Sequence, residues 1–323
     1  MSLASELAHA VHNGDRRALS KAITLVESTR VEDREPAREL LSLLAPVVKP
    51  SFRVGVTGVP GAGKSTLIDA LGARAIADGH RVAVLAIDPS SRESGGSVLG
   101  DKTRMVKLAP EASAFIRPSP TQGVLGGTAG RTREAILLCE AAGFDLILVE
   151  TVGVGQSEER VASMVDSVLL VLLAGAGDEL QAMKRGVLEA ADLIALNKAD
   201  GDRRAAVETE ATSLRANLGI SRGPETPPVL VLSALEDIGI DELWSTLESA
   251  RNTAETSGNL QRRRAAQRRA WLDDALEEAV LRAFDADPTL IRAKEALLAE
   301  VESGALPAPE AAQRLVASLL ARH

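Results

Sequence analysis

Residues 58–66 read GVPGAGKST, which matches the spacing G-x-x-x-x-G-K-[ST]. That spacing suits a phosphate chain. Gly58, Gly61 and Gly63 let the backbone curl, so that N–H groups from there through Ala62 point inward at phosphate oxygens. Lys64 brings an ammonium to the β- and γ-phosphates, and the Ser65 hydroxyl is a ligand for Mg2+. Thr66 is the last of the expected nucleotide-binding residues of this loop, and the helix that follows adds the partial positive charge of its N-terminus.

Such a site needs a carboxylate close by, and ILVETVGVGQSE (147–158) offers one. Glu150 ends an apolar run, where a parallel strand opens onto the carboxyl edge of its sheet and ligands gather. Mg2+ takes oxygen ligands and keeps several waters, so Glu150 is expected to hold the ion or one of its waters. ETVG (150–153) has the form D-x-x-G with Glu for Asp; Gly153 would give its N–H to the γ-phosphate and relax once that group leaves. Two further acids point to the same ion. Asp88 closes VAVLAID and is either a metal-site acid or a turn residue before Pro89; Asp101 in GGSVLGDKTRM is either a metal-site or water-orienting acid or a helix N-cap.

LIALNKAD (193–200) supplies the base reader. The Asp200 carboxylate suits guanine, which presents N1–H and an exocyclic amine as paired donors, whereas adenine has no such pair. Asn197 and Lys198 complete N-K-x-D, with the lysine stem against the base. In VLSAL (231–235), Ser233, Ala234 and Leu235 form the matching S-A-L element, with the Ala234 N–H facing guanine O6. The expected ligands are therefore GTP and GDP with Mg2+. The position directly after the switch glycine, where a water-positioning glutamine is useful, holds Val154, and Gln156 lies further on. Intrinsic hydrolysis is therefore expected to be slow, with the site completed by a switch residue or a partner protein, as in a regulatory switch.

The elements that must carry these residues alternate. FRVGVTG, RVAVLAID, SAFIRP, FDLILVE, SVLLVLLA, LIALNKAD and PPVLVLSA are short β-rich runs separated by helical patterns beginning near Ser65, Thr132, Asp178 and Asp241. Continuously apolar strands between helices mean an α/β fold: a P-loop NTPase with a mostly parallel central sheet flanked by helices. Residues 1–48 read as a helical extension, with NGD as a turn and Pro36 in the first turn of a second helix. After 49–252, the polar break ETSGN opens a C-terminal helical segment, 253–323, whose apolar stripe must be buried somewhere.

The chain has 323 residues, 45% hydrophobic and 25% charged, within the range of an ordinary globular protein. Its formal net charge of -8 argues against a nucleic-acid partner. The basic run QRRRAAQRR (261–269) reads as a solvated helix face or as partner to the acids that follow it. The single cysteine, Cys139, lies in a helical pattern and reads as a buried hydrophobe. No apolar stretch reaches the ~18 residues of a membrane span, and no signal-peptide pattern opens the chain; no membrane partner and a cytoplasmic location are expected.

Taken together, GVPGAGKST, DPSS…GGSVLGDKTRM, FIRPSPTQGVLGG, ETVGVGQSE, AGAGDELQ…K and LNKAD resemble the methylmalonyl-CoA mutase-associated GTPases, the MeaB/ArgK type. The resemblance implies a homodimer formed through the C-terminal helices. It also implies a chaperone that protects or reactivates an adenosylcobalamin-dependent acyl-CoA mutase and gates cofactor delivery from the cobalamin adenosyltransferase. By position it makes Lys64, Asp101, Glu150 and Gly153 catalytic, and GAGDELQAMKRG (175–186) a further switch acting through Asp178 and Lys184. The base-off cobalamin signature D-x-H-x-x-G is absent, so the chain is not the mutase itself. An alternative reading, also attached to this family, is a nucleotide-dependent protein kinase acting on an amino-acid transport component.

Overall fold

A computed structural model describes residues 2–88, 105–120, 127–151, 157–173, 185–222 and 226–320. The chain forms two compact units, Met1–Gln267 and Arg268–His323. The first is built on seven strands: β1 (Phe52–Gly58), β2 (Val82–Asp88), β3 (Ala114–Pro120), β4 (Leu146–Thr151), β5 (Ser167–Leu173), β6 (Leu193–Asn197) and β7 (Val229–Val231). Their order is β3-β2-β4-β1-β5-β6-β7, and every pairing is parallel. All of β4 and β6 is buried. A strand covered on both faces carries apolar side chains on both, which is why these segments read as runs rather than alternations.

Register brings the chemistry to one edge. Val56 of β1 lies opposite Glu150 of β4, Gly58 opposite Val171 of β5, and Leu173 of β5 opposite Asn197 of β6. On one face of the sheet pack the N-terminal helices α1 (Leu3–His12), α2 (Arg16–Glu27) and α3 (Val31–Leu44), with α5 (Gly127–Ala141); Leu19, Ile23, Leu40, Ile136 and Phe144 form their common core. The other face is covered by α4 (Lys64–Ala77) and α9 (Ile240–Thr256), through Leu67, Ile68, Leu71, Trp244 and Leu247. Helices α6 (Ser157–Ala162), α7 (Arg185–Ala190) and α8 (Arg204–Arg222) complete the layers. Cys139 is fully buried, and burial pushes its thiol well above the usual range.

Three local expectations are corrected. Helix α3 starts at Val31, so Pro36 lies inside it and not in its first turn. Glu32 and Asp33 favour the earlier start by placing charge at the helix N-terminus, and Ser28 Oγ donates to Asp33; the cost is one backbone hydrogen bond on a half-buried face. Helix α5 begins at Gly127, ahead of Thr132, because its first turn is the glycine-rich GTAG, a composition that hides a helix start. The helical pattern placed at Asp178 lies outside the described residues, and the element that follows is α7.

The third correction concerns QRRRAAQRR, in helix α10 (Asn259–Asp285). Arg262, Arg268 and Arg269 are exposed, as a solvated face requires, but two of its arginines reach acids that come earlier in the chain. Arg263 pairs with Asp192 at 3.1 Å, and Arg264 forks onto Asp166 at 2.8 and 2.6 Å while donating to the Ser51 carbonyl at 2.9 Å. Gln267 Nε2 donates to the Val165 carbonyl at 2.7 Å. The Asp166 side chain is wholly buried, and a buried carboxylate demands a charged partner. Burial opposes the Arg264 charge, but the bonds to Asp166 outweigh it and hold the guanidinium protonated above its ordinary range.

The second unit contains the rest of α10, then α11 (Pro288–Glu302) and α12 (Ala308–Leu320). Asp287 caps α11 by accepting from Thr289 N at 2.8 Å, with Pro288 in the first turn. Beyond its end, Gly304 takes φ 74° and the N–H groups of Ala305 and Leu306 return to the Glu300 carbonyl. No helix among the described residues is long and apolar enough to cross a membrane.

Candidate functional site

The loop between β1 and α4 is shaped by two glycines. Gly58 has φ 140°, and a Cβ there would stand 2.0 Å from the Val171 carbonyl oxygen. Gly63 has φ 86°, and a Cβ there would stand 2.6 Å from Asn197 Nδ2. Neither place admits a side chain. Lys64 is buried, and its Nζ donates to the carbonyls of Gly58 at 2.8 Å and Val59 at 3.0 Å, so the ammonium lies across the loop. Ala62 is fully buried, whereas Gly61 and Thr66 are exposed.

Ser65, on the first turn of α4, donates its hydroxyl to Glu150 Oε1 at 2.7 Å. Glu150 is 8% exposed and sits between β1 and β2, opposite Val56 and Ala86. Next to it Thr151 Oγ1 donates to Thr57 Oγ1 at 2.9 Å, tying the ends of β4 and β1 together; that threonine pair was not anticipated, since its partners are far apart in the chain. Asp88 is the last residue of β2, opposite Pro120. Asp101, Gly153, Asp178 and Lys184 lie outside the described residues. Among the described residues no cluster of three or more His, Cys, Asp or Glu is poised to hold a metal. A hydroxyl beside a single carboxylate nevertheless fits Mg2+, which binds through one or two carboxylates with substrate phosphates and water supplying the rest.

On the other side, Asn197 ends β6 and is 2% exposed. Its Nδ2 donates to the Ala62 carbonyl at 2.8 Å, and its Oδ1 accepts from Ala234 N at 3.1 Å. One side chain thus ties the phosphate-type loop to the S-A-L turn. The Ala234 N–H, expected to face a base, is engaged with Asn197. Lys198 is exposed with φ 64°, and Asp200 accepts a short hydrogen bond from the Ser233 hydroxyl. Ser233 and Ile238 close the turn by exchanging backbone bonds at 2.9 and 3.0 Å, leaving Leu235 exposed at its tip. Lys64, Ser65 and Glu150 therefore meet on one side of the loop, and Asn197, Asp200, Ser233 and Ala234 on the other.

The family described as "Methylmalonyl Co-A mutase-associated GTPase MeaB" matches residues 19–289. The chain belongs to that family. MeaB-family relatives extend the match over nearly the whole length. A probable GTPase of Mycobacterium tuberculosis is 50% identical over 313 residues, covering 96% of this chain and 93% of the relative. The GTPase ArgK of Escherichia coli is 47% identical over 274 residues, covering 84% and 83%. The mouse protein named methylmalonic aciduria type A homolog, mitochondrial, is 44% identical, covering 96% and 78%. Among solved structures, one titled as an LAO/AO transport system kinase superposes with a TM-score of 0.74 at 37% identity, covering 98% and 97%. Membership of this GTPase family implies guanine-nucleotide binding, and the parallel sheet with its loop after β1 is the P-loop NTPase fold.

Proposed function

We propose that this protein binds GTP with Mg2+, hydrolyses it slowly, and uses the nucleotide state to serve an adenosylcobalamin-dependent acyl-CoA mutase of the methylmalonyl-CoA mutase type. The observation that carries the reading is the Ser65–Glu150 hydrogen bond on one side of the loop with the Asn197 bridge on the other. Ser65 and Glu150 are the described residues whose oxygens would hold Mg2+, with Asp88, at the end of β2, and Asp101 as further acids for the ion. When bound, the ion neutralises charge on the phosphate oxygens. The loop N–H groups orient the phosphates, and Lys64 exchanges its bonds to Gly58 and Val59 for phosphate oxygens. Gly153 donates to the γ-phosphate. Asp200 reads the base, with Lys198, Ser233, Ala234 and Leu235 framing it. Asp178 and Lys184 act when the mutase engages the 175–186 segment.

The client reading rests on the family and on the printed names of its relatives. The protein acts in the cytoplasm as a homodimer, protecting the mutase and gating cofactor delivery from the adenosyltransferase. The dimer is supported by apolar side chains left exposed along α10, Leu272, Leu276 and Val280, at helical spacing. The test is phosphate release from GTP and ATP with and without purified mutase. Slow GTP turnover that the mutase accelerates, with ATP inert, is the expected result. Stable transfer of label from nucleotide to another protein would instead establish the kinase activity named for the structural neighbour. Turnover unaffected by the mutase would remove the client.

A further inference from the structure

We propose that Lys107 is a positioning residue for base recognition, acting through an ion pair with Asp237; the inference rests on the guanine-site reading above and deepens it. Lys107 lies just beyond the Asp101-bearing segment, and Asp237 lies in the turn that presents Ser233, Ala234 and Leu235. The Lys107 ammonium meets both carboxylate oxygens of Asp237, at 2.6 and 2.5 Å.

Both ends of this pair are anchored. At one end the buried Asp69 carboxylate, on α4, accepts the backbone N–H of Lys107 at 3.1 Å and of Leu108 at 2.8 Å. Met105 and Leu108 are fully buried, and Leu108 packs so close to α4 that a Cβ on Gly72 would stand 2.7 Å from its Cδ1. The backbone that carries Lys107 is therefore fixed to the helix that follows the phosphate-type loop. At the other end Asp237 has φ 56°, a left-handed conformation that few non-glycine residues adopt. A turn held in that state depends on outside bonds, and Lys107 provides one.

The bonds close a ring. From α4 it runs through Asp69 to Lys107, across to Asp237, through the turn to Ala234, then by Asn197 back to Ala62 beside the start of α4. The sequence carries no sign of it, because the two members of the ion pair are 130 residues apart. Base recognition and the phosphate-type loop are thereby set against one frame. Both side chains of the pair are partly exposed, so its contribution is that of a screened surface ion pair.

The test is titration of the full chain with N-methylanthraniloyl-GDP and the corresponding ADP probe at low ionic strength and in 1 M salt. Lys107→Met and Asp237→Asn are each expected to weaken the GDP probe about two- to fivefold at low salt. The deficit should shrink in 1 M salt, where the Debye length falls to ~3 Å and an exposed ion pair is weakened. The exchange variant K107D/D237K should restore most of the affinity, which a general loss of folding would not allow. Single variants that bind the GDP probe as the parent does, a deficit undiminished by salt, or an exchange variant no better than the singles would each overturn the proposal. A parent protein that binds both probes equally would instead overturn the guanine-site reading on which it stands.

Discussion

Replacing Asn197 by alanine tests the bridge between the two halves of the site. The side chain is 2% exposed and makes two hydrogen bonds, to the Ala62 carbonyl and from the Ala234 N–H. Asn197→Ala removes both and leaves two buried backbone groups without their partner. An unmade buried bond costs ~1–3 kcal/mol, and water entering the vacated volume recovers part of it, so the loss is roughly 3 kcal/mol in total. The bonds exist in the protein itself, so the loss falls first on stability. In a unit the size of Met1–Gln267, each kcal/mol moves the midpoint by ~2–4 °C, which places the expected drop at about 6–12 °C. Differential scanning calorimetry with and without GDP is the assay. Because the S-A-L turn and the loop no longer share a tether, saturating GDP should stabilise the variant less than the parent. A variant with the parent's midpoint and the parent's GDP-induced shift would refute the bridge.

The same logic extends to two other places. Gly58→Ala forces a Cβ against the Val171 carbonyl and is expected to weaken GDP binding about tenfold to a hundredfold by fluorescence titration; unchanged affinity would mean that the loop has slack. Arg264→Ala leaves the buried Asp166 with the Arg53 N–H as its remaining described donor from another segment. It should cost ~3 kcal/mol in denaturant unfolding, with Arg264→Lys recovering less than half because it lacks the fork; full rescue by lysine would show that charge alone suffices.

What could be read from sequence divides along a physical line. FDLILVE and LIALN announced strands buried on both faces, and they placed Glu150 and Asn197 towards the ends of those strands, because apolar runs and short motifs are local in the chain. Helix starts were less legible where the local signal was ambiguous: Pro36 suggested a first turn, yet the acids before it begin the helix a turn earlier. Least legible were bonds between distant segments. Arg264 reads as one basic residue in a row of them, and only the packed structure shows it closing over Asp166. The partners of Asn197, and the link from Asp69 through Lys107 to Asp237, belong to the same class. These pairings follow from which strand ends finish side by side.

The central claim, a guanine-nucleotide site with Asp200 as the base reader, is tested most directly by measuring GDP and XDP affinities for the parent and for Asp200→Asn. A carboxylate accepts two hydrogen bonds from the guanine edge, whereas an amide offers a donor to the 2-oxo group of xanthine. The parent is expected to favour GDP, and the variant to lose that preference and bind XDP more tightly than the parent does. A variant that still prefers GDP as strongly as the parent would contradict the account.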